Sequence, residues 1–176
     1  VLIMFIKRIL IVFCLFFSLS NFSHAEVPHY LDFKLILNES SAGKKAQNFL
    51  KNKLENGIKN IKEKEKKIQE EEKKIIQQKK ILSAEEYKKK VTALRSKVSS
   101  LQKERDNLLR TVANQRSKAK SELLKNLNPI VKNYMEEKKI RIVIDKKNVL
   151  LADETLNITK DIMSLLNQKL KSIKID

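Results

Sequence analysis

Apart from lysine, the side chains of this sequence that could do chemistry are few and poorly spaced for it. The 176 residues include two histidines, His24 and His29, and one cysteine, Cys14. Nucleophilic catalysis needs a Ser or Cys beside a positioned base, and a zinc site needs three or four His, Cys or carboxylate ligands at set spacings. Neither pattern occurs, and there is no Gly-rich phosphate loop and no HExxH. Carboxylates are plentiful, but Glu70-Glu71-Glu72 is flanked by Lys66-Lys67 and Lys73-Lys74, with no apolar pocket to shift a pKa. That cluster reads as a solvated helix face. The sequence therefore implies no catalytic residue, no metal, no cofactor and no enzyme.

Lysine is the informative residue. Lys+Arg number 38 against 21 Asp+Glu, a formal charge of +17. The excess is local: residues 44–128 hold 25 basic and 11 acidic residues, a net of +14. Runs at Lys66-Lys67, Lys73-Lys74, Lys79-Lys80 and Lys88-Lys89-Lys90 would draw polyanions, anionic headgroups or acidic polypeptides by their long-range field. The alternative is that they only keep an extended helix soluble. Nucleic acid is disfavoured as a partner, because Phe49 and Tyr87 are too few aromatics for base stacking in this stretch.

An export signal also argues against nucleic acid. Lys7 and Arg8 precede an apolar run from Ile9 to Phe17, followed by Ser23-His24-Ala25. This is the layout of a secretory signal peptide, with cleavage expected after Ala25. A membrane-spanning helix would need about 20 apolar residues, more than this run supplies. No cysteine follows Ala25, so the exported chain would hold no disulfide.

The elements that must display the lysines follow from the scarcity of breakers. Glycine and proline occur twice each, against average usage of roughly 7% and 5%. Long helices are implied. Leu54, Ile61, Ile68, Ile75 and Leu82 recur every seven residues, one row of a helical stripe. The second row of a coiled-coil seam falls on Lys64/Glu65, Glu71/Glu72 and Gln78/Lys79, so half the seam is polar. Ser83 with Glu86 forms a capping box, which starts a new helix. Beyond it Tyr87, Val91, Leu94, Val98 and Leu101 make a second stripe, in which Arg105 takes the next slot. Folding the chain back near 82–84 sets Ile75 opposite Val91 and Leu94, and Ile68 opposite Val98 and Leu101. The 39 residues from Lys44 to Leu82 would reach about 58 Å. The product is a narrow, lysine-coated helical hairpin over 44–129.

Residues 26–43 and 130–176 supply a base. Ile140-Arg141-Ile142-Val143-Ile144 is the most β-like run, Val149-Leu150-Leu151 reads as a second strand and 27–33 as a third. Asn157 can cap a final helix carrying Ile158, Ile162, Leu165, Leu166 and Leu170 on one face. A unit of about 65 residues buries only about 60% of its unfolded surface. Its strand edges would also be open. Both points favour assembly through the base, with Ile140, Ile142, Ile144, Val149 and Leu151 as the expected oligomerisation residues.

Several segments together resemble the Skp/OmpH family of periplasmic chaperones. They are Asn38-Glu39-Ser40-Ser41-Ala42-Gly43-Lys44-Lys45-Ala46, the turn Leu82-Ser83-Ala84-Glu85-Glu86-Tyr87-Lys88, and the tail Ile140 to Asp145, Leu151-Ala152-Asp153 and Leu156 to Ile162. The resemblance runs in order along the whole chain after Ala25. Asn157 stands where an Asp is usual and Leu151 where a Tyr is common. The resemblance implies a mainly α homotrimer whose short-stranded bases join in a β-barrel, with helical arms around a cavity. It implies a periplasmic, ATP-independent holdase for unfolded outer-membrane β-barrel proteins. Lys73, Lys74, Lys79, Lys80, Lys88, Lys89 and Lys90 would be client-contacting, and lipopolysaccharide or an anionic membrane would be a further partner. The competing reading is a structural envelope protein tethered to lipopolysaccharide or peptidoglycan.

Overall fold

The computed structural model describes residues 27–175, so the expected signal peptide and its cleavage after Ala25 lie outside the described residues. The chain opens with strand β1 (His29–Leu31), short helix α1 (Phe33–Glu39) and long helix α2 (Ser41–Gln78). Helix α3 (Ala84–Lys138), strand β2 (Val143–Asp145) and helix α4 (Thr159–Lys169) complete it. The two strands pair in parallel, His29 with Val143, Tyr30 with Ile144 and Leu31 with Asp145. Parallel neighbours need a long crossover. Here the crossover is the entire helical excursion.

Local chemistry sets each boundary. The Asp32 carboxylate accepts from the Leu35 amide at 2.8 Å and starts α1. Ser40 serves two helices: its amide donates to the Ile36 carbonyl at 3.1 Å, and its hydroxyl accepts from the Gly43 amide at 3.1 Å. The corner is tight enough that a Cβ on Gly43 would meet the Leu37 carbonyl oxygen at 2.1 Å, so glycine is required there. At the far end α2 stops at Gln78, and Lys79–Leu82 turn the chain. The Ser83 hydroxyl then accepts from the Glu86 amide while the Glu86 carboxylate accepts from the Ser83 amide. Both halves of the capping box are present.

Helix α3 runs through Pro129, which removes one backbone donor. Leu123, Leu127 and Ile130 are buried on either side of it, and their packing carries the helix on to Lys138. The stop is a Schellman motif built without glycine. Lys139 takes a left-handed conformation at φ 56°, the Ile140 amide donates to Met135 at 2.8 Å, and Ile140 packs in the same apolar cluster as Met135.

That stop revises the expected strands. Ile140 belongs to the helix cap, and only Val143–Asp145 of the β-like run pairs with another strand. Val149-Leu150-Leu151 forms no strand. A ladder needs a free edge, and β1 has none to offer: one side takes β2, and on the other the Ile158 amide donates to the Tyr30 carbonyl at 3.0 Å. Leu150 and Leu151 are almost fully exposed. The tail helix starts near its expected place, but Ile158, not Asn157, is its N-cap and provides no side-chain capping bond. The Asn157 carboxamide oxygen instead closes the turn just before it, accepting from the amide and the hydroxyl of Thr159. The main core joins α1, the base-proximal ends of α2 and α3, and α4, with Ile36, Leu123, Leu127, Ile162 and Leu166 at its centre.

Candidate functional site

The paired helices carry the distinctive chemistry. Three ion pairs cross from α2 to α3: Lys64 to Glu104 at 2.6 Å, Glu71 to Lys97 at 2.6 Å and Glu65 to Arg105 at 3.0 Å. The Lys90 ammonium donates to the Gln78 carboxamide at 2.9 Å. On α2 the partners 64, 71 and 78 ascend by seven, while on α3 the partners 104, 97 and 90 descend by seven. The polar half of the seam is thus a ladder of rungs two helical turns apart. Arg105, the cation interrupting the α3 stripe, is one of its members.

Burial divides the hairpin. Near the base Ala42, Ala46, Leu50, Ile61, Ala119 and Leu123 are buried, and Gly57 admits Leu108 so closely that an added Cβ would lie 2.5 Å from its Cδ2. From residue 62 to 114 Ile75 alone is buried. Ile68, Val91, Leu94 and Leu101 are half-buried, and Val98 is half exposed. Between the ladder rungs lies an open cleft of about 230 Å³, floored by Ile61, Ile68, Val98 and Leu101 and rimmed by Glu65, Gln69, Gln102 and Arg105. Ile68 therefore shares a cleft with Val98 and Leu101, the residues expected opposite it.

The seven expected contact lysines gather at the tip. Lys73, Lys74, Lys79 and Lys80 end α2 and enter the turn, Lys88, Lys89 and Lys90 open α3, and all are exposed. The Lys79 ammonium sits 5.8 Å from the centre of the Tyr87 ring. Sequence reading missed two apolar neighbours of this cluster, Ile76 at 60% exposure and Ile81 at 80%. Their signal was available, since both fall off the seven-residue row occupied by Ile75 and Leu82.

The five expected assembly residues do not form one patch. Ile140 lies in the protomer core, because the helix cap draws it inward. Ile142 and Ile144 are exposed beside a groove of about 560 Å³ that also involves Leu31, Val131 and Met135. Val149 is half-buried, and Leu151 points into solvent.

The shifted acids are structural. The Ser83 hydroxyl and amide hold the Glu86 carboxyl below its ordinary value of 4.5. The Thr155 amide and hydroxyl lower Asp153, and the Asn157 side chain lowers Glu154. Burial, with a 2.6 Å hydrogen bond donated to Asp161, pushes the Tyr134 phenol up to about 12. Among the described residues no three His, Cys, Asp or Glu side chains converge to hold a metal ion.

A long helical hairpin on a small parallel-strand and helix body is the architecture of a defined class. Its fold is shared by a crystal structure from Caulobacter crescentus CB15, a candidate outer membrane chaperone (OmpH-like). The two superpose with a TM-score of 0.78 at 18% identity, over 85% of this chain and 90% of that one. The profile of the family described as outer membrane protein (OmpH-like) matches residues 29–166, and the chain belongs to that family. No curated protein matches the chain significantly.

Proposed function

We propose that this protein is an ATP-independent periplasmic holdase that keeps unfolded outer-membrane β-barrel proteins from aggregating before they insert. The observation that carries this reading is the hairpin itself. It projects a strongly cationic surface, yet over its distal half it buries almost nothing. Such an element contributes little to its own body's stability and offers many weak contacts to something else. Family membership supports the same role.

The body supports assembly into a homotrimer closed by a shared β-barrel. The outer edge of β2, the groove beside Ile142 and Ile144, and the exposed, β-prone Val149-Leu150-Leu151 are complementary parts that a single protomer leaves unmatched. Three hairpins would then stand around a cavity with their lysine tips outermost. Equimolar trimer should delay the aggregation of a urea-denatured porin on dilution, read by light scattering. An unchanged aggregation rate would sink the proposal. A second reading, a tether to lipopolysaccharide or another anionic envelope surface, is favoured by Ile76 and Ile81 standing exposed among the tip lysines. Co-sedimentation with anionic vesicles in the absence of any effect on porin aggregation would select it.

A further inference from the structure

Resting on the holdase reading, we propose that the client site is the distal seam of the hairpin. In this proposal α2 and α3 part there to admit apolar side chains of an extended, unfolded polypeptide. Each helix otherwise serves as the placeholder for the other's stripe.

Three observations lead there. First, closure of the seam is weakly held. One buried side chain, Ile75, spans the stretch from 62 to 114, and the cross-helix ion pairs are all substantially exposed, where such pairs contribute little. Regions with few buried apolar contacts open first. Second, the seam is already ajar. The cleft above Ile68, Val98 and Leu101 is smaller than the roughly 300–1,000 Å³ of small-molecule sites, but about 230 Å³ accommodates a single large apolar side chain. Third, each helix carries local support of its own. Glu63 with Lys67 and Glu70 with Lys74 on α2, and Glu86 with Lys90 and Asp106 with Arg110 on α3, have the acid-before-base spacing of four that favours a solitary helix.

The occupant is set by charge. A segment with a net of +14 over residues 44–128 favours apolar stretches flanked by acidic residues. The carboxylates of such a client would exchange for Glu71 and Glu104 on Lys97 and Lys64, so the ladder is broken and replaced rung by rung. Gln69 and Gln102 at the rim carry amides that both donate and accept, as an extended backbone requires.

The test locks the seam. Glu71→Cys with Lys97→Cys places thiols where the side chains already meet, in an exported chain whose sole other cysteine, Cys14, precedes the expected cleavage point. A short, reductively cleavable bis-maleimide then joins the helices. The cross-linked protein should hold a denatured porin at least about tenfold less tightly than the same double variant before cross-linking, with that affinity recovered on cleavage of the linker. Equal binding before and after cleavage overturns the seam as the site while leaving the holdase reading intact. Failure of the wild type to bind removes both. Hydrogen exchange gives an independent measure. Amides of 62–105 in the free, unmodified protein should exchange at least about tenfold faster than those of 119–131. Equal protection of the two stretches would also overturn the proposal.

Discussion

Lys139 holds a left-handed backbone at φ 56°, a conformation that costs a residue bearing a Cβ roughly 1–2 kcal/mol. Its place in the helix stop explains why the strain is tolerated, since the Ile140 amide reaches Met135 only through this bend. Lys139→Gly should raise stability by about 0.5–1 kcal/mol after glycine's extra chain entropy is counted. A fall in the thermal midpoint would contradict the strain. Gln115 poses the opposite problem. It is buried on the face of α3 that meets α2, and its carboxamide oxygen has no partner. An unsatisfied buried acceptor costs about 1–3 kcal/mol, so Gln115→Leu should stabilise the protein by about 1 kcal/mol in urea unfolding. A single buried amide in a helix seam can also fix register. If Gln115 does so, the Leu variant gains stability but loses the Lys64–Glu104 alignment, which a Lys64→Cys, Glu104→Cys cross-linking yield would report.

The hairpin turn depends on Ser83 more than on any apolar contact, because Ile81 is exposed and Leu82 only half-buried. Ser83→Ala should cost about 1 kcal/mol, measured by denaturant unfolding, and should fray the start of α3. The effect is pH-dependent with a definite sign. Ser83 holds the Glu86 carboxyl below 4.5 in the folded chain, so its contribution is complete above that value and fades as pH falls through the lowered folded pKa. The difference between wild type and Ser83→Ala should therefore narrow at low pH, leaving the share that comes from the Ser83 hydroxyl accepting from the Glu86 amide. This turn was legible in the sequence because a capping box is a local signal, complete within four residues. The stripes were legible for a similar reason, since periodicity needs no knowledge of the partner. The ladder was only half legible: Lys64, Glu71 and Gln78 could be seen as polar, but their pairing with Glu104, Lys97 and Lys90 depends on a register that only tertiary structure fixes. Helix α1 was missed because Phe33, Leu35, Ile36 and Leu37 look like a continued strand. Their helicity rests on Asp32 and Ser40 capping both ends. The β-like runs misled in the base because strand formation depends on which edge a segment meets: both sides of β1 are taken, and in the single chain Val149-Leu150-Leu151 does not pair with the outer edge of β2.

The body and the hairpin divide the work of the molecule, and the division can be tested by mutations that should leave the other part untouched. Ile142 and Ile144 are exposed at the open side of the small sheet, so Ile142→Asp with Ile144→Asp should spare the protomer core yet abolish assembly, by placing unpaired charge in the proposed interface. Light-scattering mass would read protomer in place of trimer. A normal trimer from the double variant would exclude this face from the interface. The tip makes the converse case. Lys79, Lys80, Lys88, Lys89 and Lys90 are all exposed, and Lys79 over Tyr87 and Lys90 to Gln78 are surface contacts. Replacing all five with Gln removes a charge of +5 from one end of the hairpin while preserving length and helix propensity. Assembly mass and the thermal midpoint should hardly move. Client affinity at low salt should fall, with a weaker salt dependence, because exposed charges are screened beyond roughly 10 Å at 0.1 M ionic strength. At high salt wild type and variant should bind alike, since only the apolar contacts then remain. If the variant matched wild type at low salt as well, the lysine tips would take no part in capture, and the role of the surplus charge would lie elsewhere along the hairpin.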